Sequence, residues 1–102
     1  MVDEPSSDAD EILDELFDVI ERRKETLPEE SYTTTLFTHE KGENAVLEKL
    51  GEEMTELLLA AKEGDDEELT HEAADIVYHL LGLLAMKDLT IDDLRRELAT
   101  RR

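Results

Sequence analysis

Two windows of helical period, Glu43 to Glu63 and Glu67 to Met86, are separated only by Gly64, Asp65 and Asp66, and this spacing narrows the possible folds more than any other feature. In the first window Leu47, Leu50, Met54, Leu57, Leu58 and Ala61 recur at the three-and-four spacing of an amphipathic helix. In the second, Ala73 to Met86 reads AADIVYHLLGLLAM, apolar nearly all round. A connection this short leaves two helices one simple arrangement, an antiparallel hairpin.

The flanking sequence extends the helical pattern. From Asp8 to Leu27, Ile12, Leu13, Leu16, Phe17 and Ile20 form one stripe, with Ser6, Ser7 and Asp8 offering N-cap oxygens and Pro28 limiting the far end. Ser31 is a candidate cap for a short helix, against which the β-branched run Thr33 to Thr35 counts. Lys41 and Gly42 read as a turn. Thr90 caps a final helix, Ile91 to Thr100, whose first turn carries Asp92 and Asp93 at the positive end of the macrodipole. Neither a strand pattern nor a repeat is present, so the expected class is all-α. It forms a single domain over residues 8–102, behind a flexible acidic tail at residues 1–7.

The chain of 102 residues carries 29 acidic and 11 basic side chains, a formal net charge of −18. Nucleic acid is an unsuitable partner, because phosphate backbones are bound by clustered Lys and Arg. The absence of Cys removes disulfides, thiolate metal sites and thiol nucleophiles. The first residues lack the basic and apolar blocks of an export signal. The stretch free of Lys, Arg and Glu, Ala73 to Met86, is well short of the roughly 20 residues of a membrane span. A soluble, cytoplasmic protein without membrane attachment is therefore expected.

Chemistry concentrates in the acids of the two long windows. Glu52, Glu53 and Glu56 form E-E-x-x-E, and Glu72 and Asp75 form E-x-x-D. A helix advances about 100° per residue, so groups three apart lie on nearly the same face. Glu53 with Glu56 and Glu72 with Asp75 are thus two carboxylate pairs, which a hairpin closed at Gly64 brings to one level. On the wheel centred at Met54, Glu52, Glu53 and Glu56 fall away from the leucine stripe, which by itself describes a solvated face, although Leu59 among them points to partial cover. Asp75 is the only formally charged residue of an otherwise apolar segment, and burying it unpaired costs several kcal/mol. Two compensations are open. A divalent cation on all-oxygen ligands would be Mg²⁺ or Mn²⁺ rather than Zn²⁺. Alternatively the carboxylates have a raised pKa and bond to Tyr78, His79 or a Lys.

His79, four residues after Asp75, reads either as a donor supporting that site or as a satisfied core histidine. His39 and His71 are expected at the surface. Glu68-x-x-His71 matches a di-iron E-x-x-H, but lies in the first turn of its helix, away from the level expected for Glu56 and Asp75. Lys49, one turn before Glu53, suits an i,i+4 ion pair or a phosphate contact.

The acids resemble the motif of the all-α nucleoside triphosphate pyrophosphohydrolases of the MazG type. Ser31-Tyr32-Thr33, Lys49-Leu50-Gly51-Glu52-Glu53, Glu56, Ala60-Ala61-Lys62, Glu72-Ala73-Ala74-Asp75, Tyr78-His79-Leu80-Leu81 and Glu97-Leu98 are similar, within that superfamily, to the phosphoribosyl-ATP pyrophosphatase family. The likeness runs from about Ile12 to the C-terminus. It departs at Met54, where a smaller residue is common, and at Lys87-Asp88, which lacks the usual Gly. The expected form is the stand-alone one, without the cyclohydrolase domain fused in some relatives.

The resemblance implies a homodimer built on a four-helix bundle. It implies hydrolysis of phosphoribosyl-ATP to phosphoribosyl-AMP and pyrophosphate in histidine biosynthesis, with Mg²⁺ held by Glu53, Glu56, Glu72 and Asp75. Glu52 and Glu53 are then the catalytic candidates, Glu52 as base or water-orienting group, and His79 lies behind the ligands. Tyr32, Thr33, Lys49 and Lys62 are substrate-binding candidates by position. The rival readings are a house-cleaning enzyme for free (d)NTPs and a non-catalytic helical dimerisation module.

The acid excess itself reads either as an ordinary solvated surface or as adaptation to molar salt, where a Debye length of about 3 Å mutes self-repulsion. On the second reading melting temperature and activity rise together as KCl is added. Full folding and activity in dilute buffer, with no gain on adding KCl, would exclude it.

Overall fold

The computed structural model describes residues 11–102, and every regular element in them is a helix. They are α1 (Ile12–Thr26), α2 (Tyr32–Thr38), α3 (Glu43–Glu63), α4 (Asp66–Met86) and α5 (Ile91–Ala99). None of them is long and apolar enough to cross a membrane. The tail 1–7 and the caps expected at Ser6, Ser7 and Asp8 lie outside the described residues.

The all-α class and the hairpin agree with the sequence pattern. Gly64 closes α3 in the left-handed region at φ 74°, and the Asp65 carboxylate accepts the Glu68 N–H at 3.0 Å. Asp65 is thus the N-cap of α4, which starts at Asp66, one residue before the position read from periodicity. At the hairpin's open end Lys87 donates to Glu43 at 3.0 Å, so the arms pair along their whole length.

The short α2 forms despite its threonines. Ser31 Oγ accepts from the Thr34 N–H at 3.4 Å and from Arg23 at 3.0 Å. Thr35 and Thr38 donate back to the Tyr32 and Thr34 carbonyls, at 2.5 Å and 2.9 Å. These two hydroxyls are therefore satisfied within the helix, whereas the Thr34 hydroxyl is buried without a hydrogen-bond partner among the described residues. Thr90 and Asp93 form a capping box at α5, as its sequence leads one to expect.

The core joins α1, α4 and α5. Phe17, Ile20, Leu81, Ala85 and Ile91 are buried in it, with Leu16, Phe37, Tyr78 and Leu84 packed alongside. Asp88 occupies the left-handed region at φ 59°, the conformation that the missing glycine would adopt without strain. Lys24 offsets this, donating to the Asp88 carboxylate and the Ala85 carbonyl at 2.7 Å each. The ammonium holds the Asp88 carboxyl below its usual range, and Asp88 in turn raises Lys24. This contribution is present above the unfolded Asp pKa and is lost as pH falls through the lowered folded value.

One expectation fails at α3. Its inward residues are Val46, Glu53 and Ala60, whereas Leu47, Met54 and Leu58 are 44%, 46% and 59% exposed. Part of the expected stripe therefore faces away from the chain's own core, while Leu50 and Leu57 are half-buried, and the face read as solvated contains a buried acid. Periodicity locates an apolar face but not what covers it.

Candidate functional site

α3 and α4 bury one carboxylate each, Glu53 and Glu72, both 5% exposed. Asp75, expected to be the buried acid, has a side chain 40% exposed, because α4 leaves part of its circumference, including Val77, uncovered. Glu52 and Glu56 are exposed on α3.

Glu53 is satisfied by an imidazole. His79 Nδ1 lies 2.9 Å from Glu53 Oε1 and 2.9 Å from the Asp75 carbonyl, and its Nε2 lies 3.1 Å from Tyr32 Oη. One buried histidine thus ties α2, α3 and α4 together. The rings reinforce it: Tyr32 stacks on Tyr78 at 6.0 Å, and His79 stands edge-on to Tyr78 at 5.1 Å. Burial pushes the Tyr32 phenol up, against the opposing pull of Lys49, and Tyr78, Glu53 and Asp75 add to the rise.

Glu72 is not satisfied. Its Oε1 is buried without a hydrogen-bond partner among the described residues. Its pKa is pushed up to about 7, first by the neighbouring Glu68 carboxyl, then by burial and by the charge of Glu56. Glu56, Glu68 and Glu72, with Leu59, Ala60 and Glu63, line a shallow hollow of about 340 Å³. On its α4 side the ligand atoms of His71, Glu72 and Asp75 lie within 4.8 Å of one another, with His71 Nε2 3.4 Å from Asp75 Oδ2.

Of the expected ligands, the structure thus brings Glu72 against both Asp75 and Glu56, while Glu53 lies inward on His79. Two residues set aside in the sequence join them. Glu68 presses on Glu72 rather than standing apart from the site, and His71, though largely exposed, sits beside Asp75. The signal for both was present in His71-Glu72-x-x-Asp75 and in the i,i+4 relation of Glu68 to Glu72. Like-charged oxygens, one of them orphaned, suit a divalent cation.

The substrate candidates separate. Tyr32, Lys49 and Glu52 line a cleft of about 330 Å³ beside the His79 array. Thr33 is buried with its hydroxyl 2.5 Å from Tyr78 Oη, outside that cleft. Lys62 stands in the last turn of α3, about 20 Å from Lys49 along the axis at 1.5 Å per residue.

A Glu72 pKa raised above its unfolded value stabilises the metal-free fold fully below the unfolded pKa, and this contribution is lost as pH rises from 4.5 toward about 7. Urea unfolding in EDTA across that range is expected to show wild-type stability falling relative to Glu72→Gln. Parallel curves would show that the crowding at Glu72 has no effect.

Comparison with known proteins gives a consistent answer. The family model described as phosphoribosyl-ATP pyrophosphohydrolase matches residues 13–102. A protein of Haloarcula marismortui named phosphoribosyl-ATP pyrophosphatase is 72% identical over 97 residues, covering 95% of this chain and 99% of that one. One of the same name from Natronomonas pharaonis is 77% identical over 95 residues, 93% and 94% of the two chains. A third, from Halobacterium salinarum, is 63% identical, covering 88% and 96%. With the family match spanning nearly the whole chain, this all-helical protein belongs to the phosphoribosyl-ATP pyrophosphohydrolase family.

Proposed function

We infer that this chain hydrolyses phosphoribosyl-ATP to phosphoribosyl-AMP and pyrophosphate, the second step of histidine biosynthesis, in the cytoplasm and with Mg²⁺, or Mn²⁺ in its place. Family membership supports the reaction, and the orphaned Glu72 oxygen among like charges is the observation that supports the cation. Glu72, Asp75 and Glu56 are the residues that would hold it, with Glu53 closing the set from α3. When bound, the cation supplies charge neutralisation at the phosphate oxygens and a more acidic water.

The chain's own residues supply position. His79 holds the Glu53 carboxylate by one ring nitrogen and the Tyr32 hydroxyl by the other, so the acid is aligned before substrate arrives. Thr33 acts through Tyr78, steadying the ring on which Tyr32 stacks. Lys49 and Tyr32 hold the nucleotide in the cleft, and Lys62 lies at the far end of α3. In the reaction, water adds to the phosphorus next to adenosine, the bridging P–O bond breaks and pyrophosphate departs. Glu52, exposed at the cleft, orients that water and takes its proton.

Homodimerisation completes this reading. Leu47, Met54 and Leu58 repeat along one exposed side of α3, where a second copy would bury them in a four-helix bundle.

Two measurements test these assignments. Asp75→Asn is expected to lower pyrophosphate release from phosphoribosyl-ATP by about a hundredfold or more, to remove the rise in melting temperature that Mg²⁺ gives the wild type, and to leave the fold intact. Full turnover in that variant would disprove the ligand role, and preference for a panel of dNTPs would replace the substrate. Leu58→Glu is expected to convert a dimer into a monomer in sedimentation equilibrium; an unchanged mass would remove the α3 face from the interface.

A further inference from the structure

The cleft beside Tyr32 contains more than the nucleotide-binding candidates already named. His39 and Lys41, from the turn between α2 and α3, also line it, together with Lys49 and Glu52 of α3. Between Thr26 and Lys87 the chain has three lysines and no arginine, Lys41, Lys49 and Lys62, and two of the three are here. Glu48 and Glu52 line it as well, so in a protein of net charge −18 the cleft is formally neutral rather than acidic.

Each cation is available to a ligand. Lys49 makes no ion pair among the described residues. Lys41 bridges to Glu48 at 3.1 Å, but both partners are more than half exposed, and such a pair exchanges for a phosphate at small cost. His39 Nδ1 accepts the Lys41 backbone N–H at 3.0 Å, so in the neutral ring the proton is on Nε2, a donor left free. The Tyr32 ring, 52% exposed, forms an aromatic wall.

The acidic hollow lies farther along α3. Lys49 and Glu56 are seven positions apart, about 10 Å along the axis. A substrate whose triphosphate meets the carboxylates would therefore present its other end near Lys49. In phosphoribosyl-ATP that end is a second phosphate monoester, on the ribose attached to the base.

We propose that the cleft formed by Tyr32, His39, Lys41 and Lys49 binds the 5′-phosphate of the phosphoribosyl arm, and that this contact selects phosphoribosyl-ATP over ordinary nucleoside triphosphates. The inference rests on the activity proposed above. His39 and Lys41 are then specificity-determining residues in the turn, outside the E-E-x-x-E and E-x-x-D motifs. Two phosphate groups at opposite ends of one substrate are met by two sites of opposite character. The carboxylate site requires a cation between itself and phosphate, whereas the lysine cleft meets phosphate directly.

Ribose 5-phosphate, which has the arm and nothing else, is the probe. Titrated into the full chain without metal, it is expected to shift the NMR signals of the His39 ring and the Lys41 and Lys49 amides, and to inhibit turnover competitively. Lys49→Gln and Lys41→Gln are each expected to weaken this binding and raise KM for phosphoribosyl-ATP about tenfold, with kcat changed by less than about threefold. Pyrophosphate shifting the same signals while ribose 5-phosphate does not would overturn the assignment, as would turnover with an unchanged KM in both variants. Binding of ribose 5-phosphate by a protein that does not hydrolyse phosphoribosyl-ATP would instead defeat the activity reading and leave the cleft as a sugar-phosphate site.

Discussion

His79 joins three helices through two ring nitrogens, Nδ1 to Glu53 on α3 and Nε2 to Tyr32 on α2, from its own place on α4. A carboxylate 5% exposed is costly without a partner, and the imidazole removes that cost for Glu53. Nothing comparable serves Glu72, whose equally buried carboxyl has an oxygen without a hydrogen-bond partner among the described residues and stands near Glu56, Glu68 and Asp75, with His71 beside them. The hairpin thus contains one acid held in place and one held under strain. That asymmetry separates an aligning group from a site suited to a cation.

Charge organises the molecule at a larger scale. With 29 acids in 102 residues, most carboxylates are solvated, and negative charge alone marks nothing. What distinguishes the site is burial together with like-charge contact. The same excess makes the cleft at Lys41 and Lys49 conspicuous, because there two lysines balance the glutamates Glu48 and Glu52 that line it.

Much of the fold was legible in sequence for local reasons. Ser31 and Thr90 cap helices through their own hydroxyls, Gly64 ends α3 because it takes φ 74° without strain, and three residues between two long helices leave only a hairpin. The E-E-x-x-E and E-x-x-D motifs gave the carboxylate pairs for the same reason, since helical spacing determines which side chains share a face. Burial was not legible. The wheel placed Glu53 on a solvated side and Asp75 in the interior, whereas packing buries Glu53 and leaves Asp75 half-exposed.

Sequence by itself determined the helices, the caps at Ser31 and Thr90, the antiparallel pairing and the family, all properties of short-range geometry or of residue identity. Tertiary structure alone decided that His79 bonds Glu53 and Tyr32, that Glu72 is the orphaned acid, that Thr33 supports Tyr78 rather than lining the cleft, and that part of the leucine stripe of α3 is left exposed. The reason is physical. A helical period states which residues lie on a common face, but solvation and charge pairing depend on what approaches that face from elsewhere in the chain.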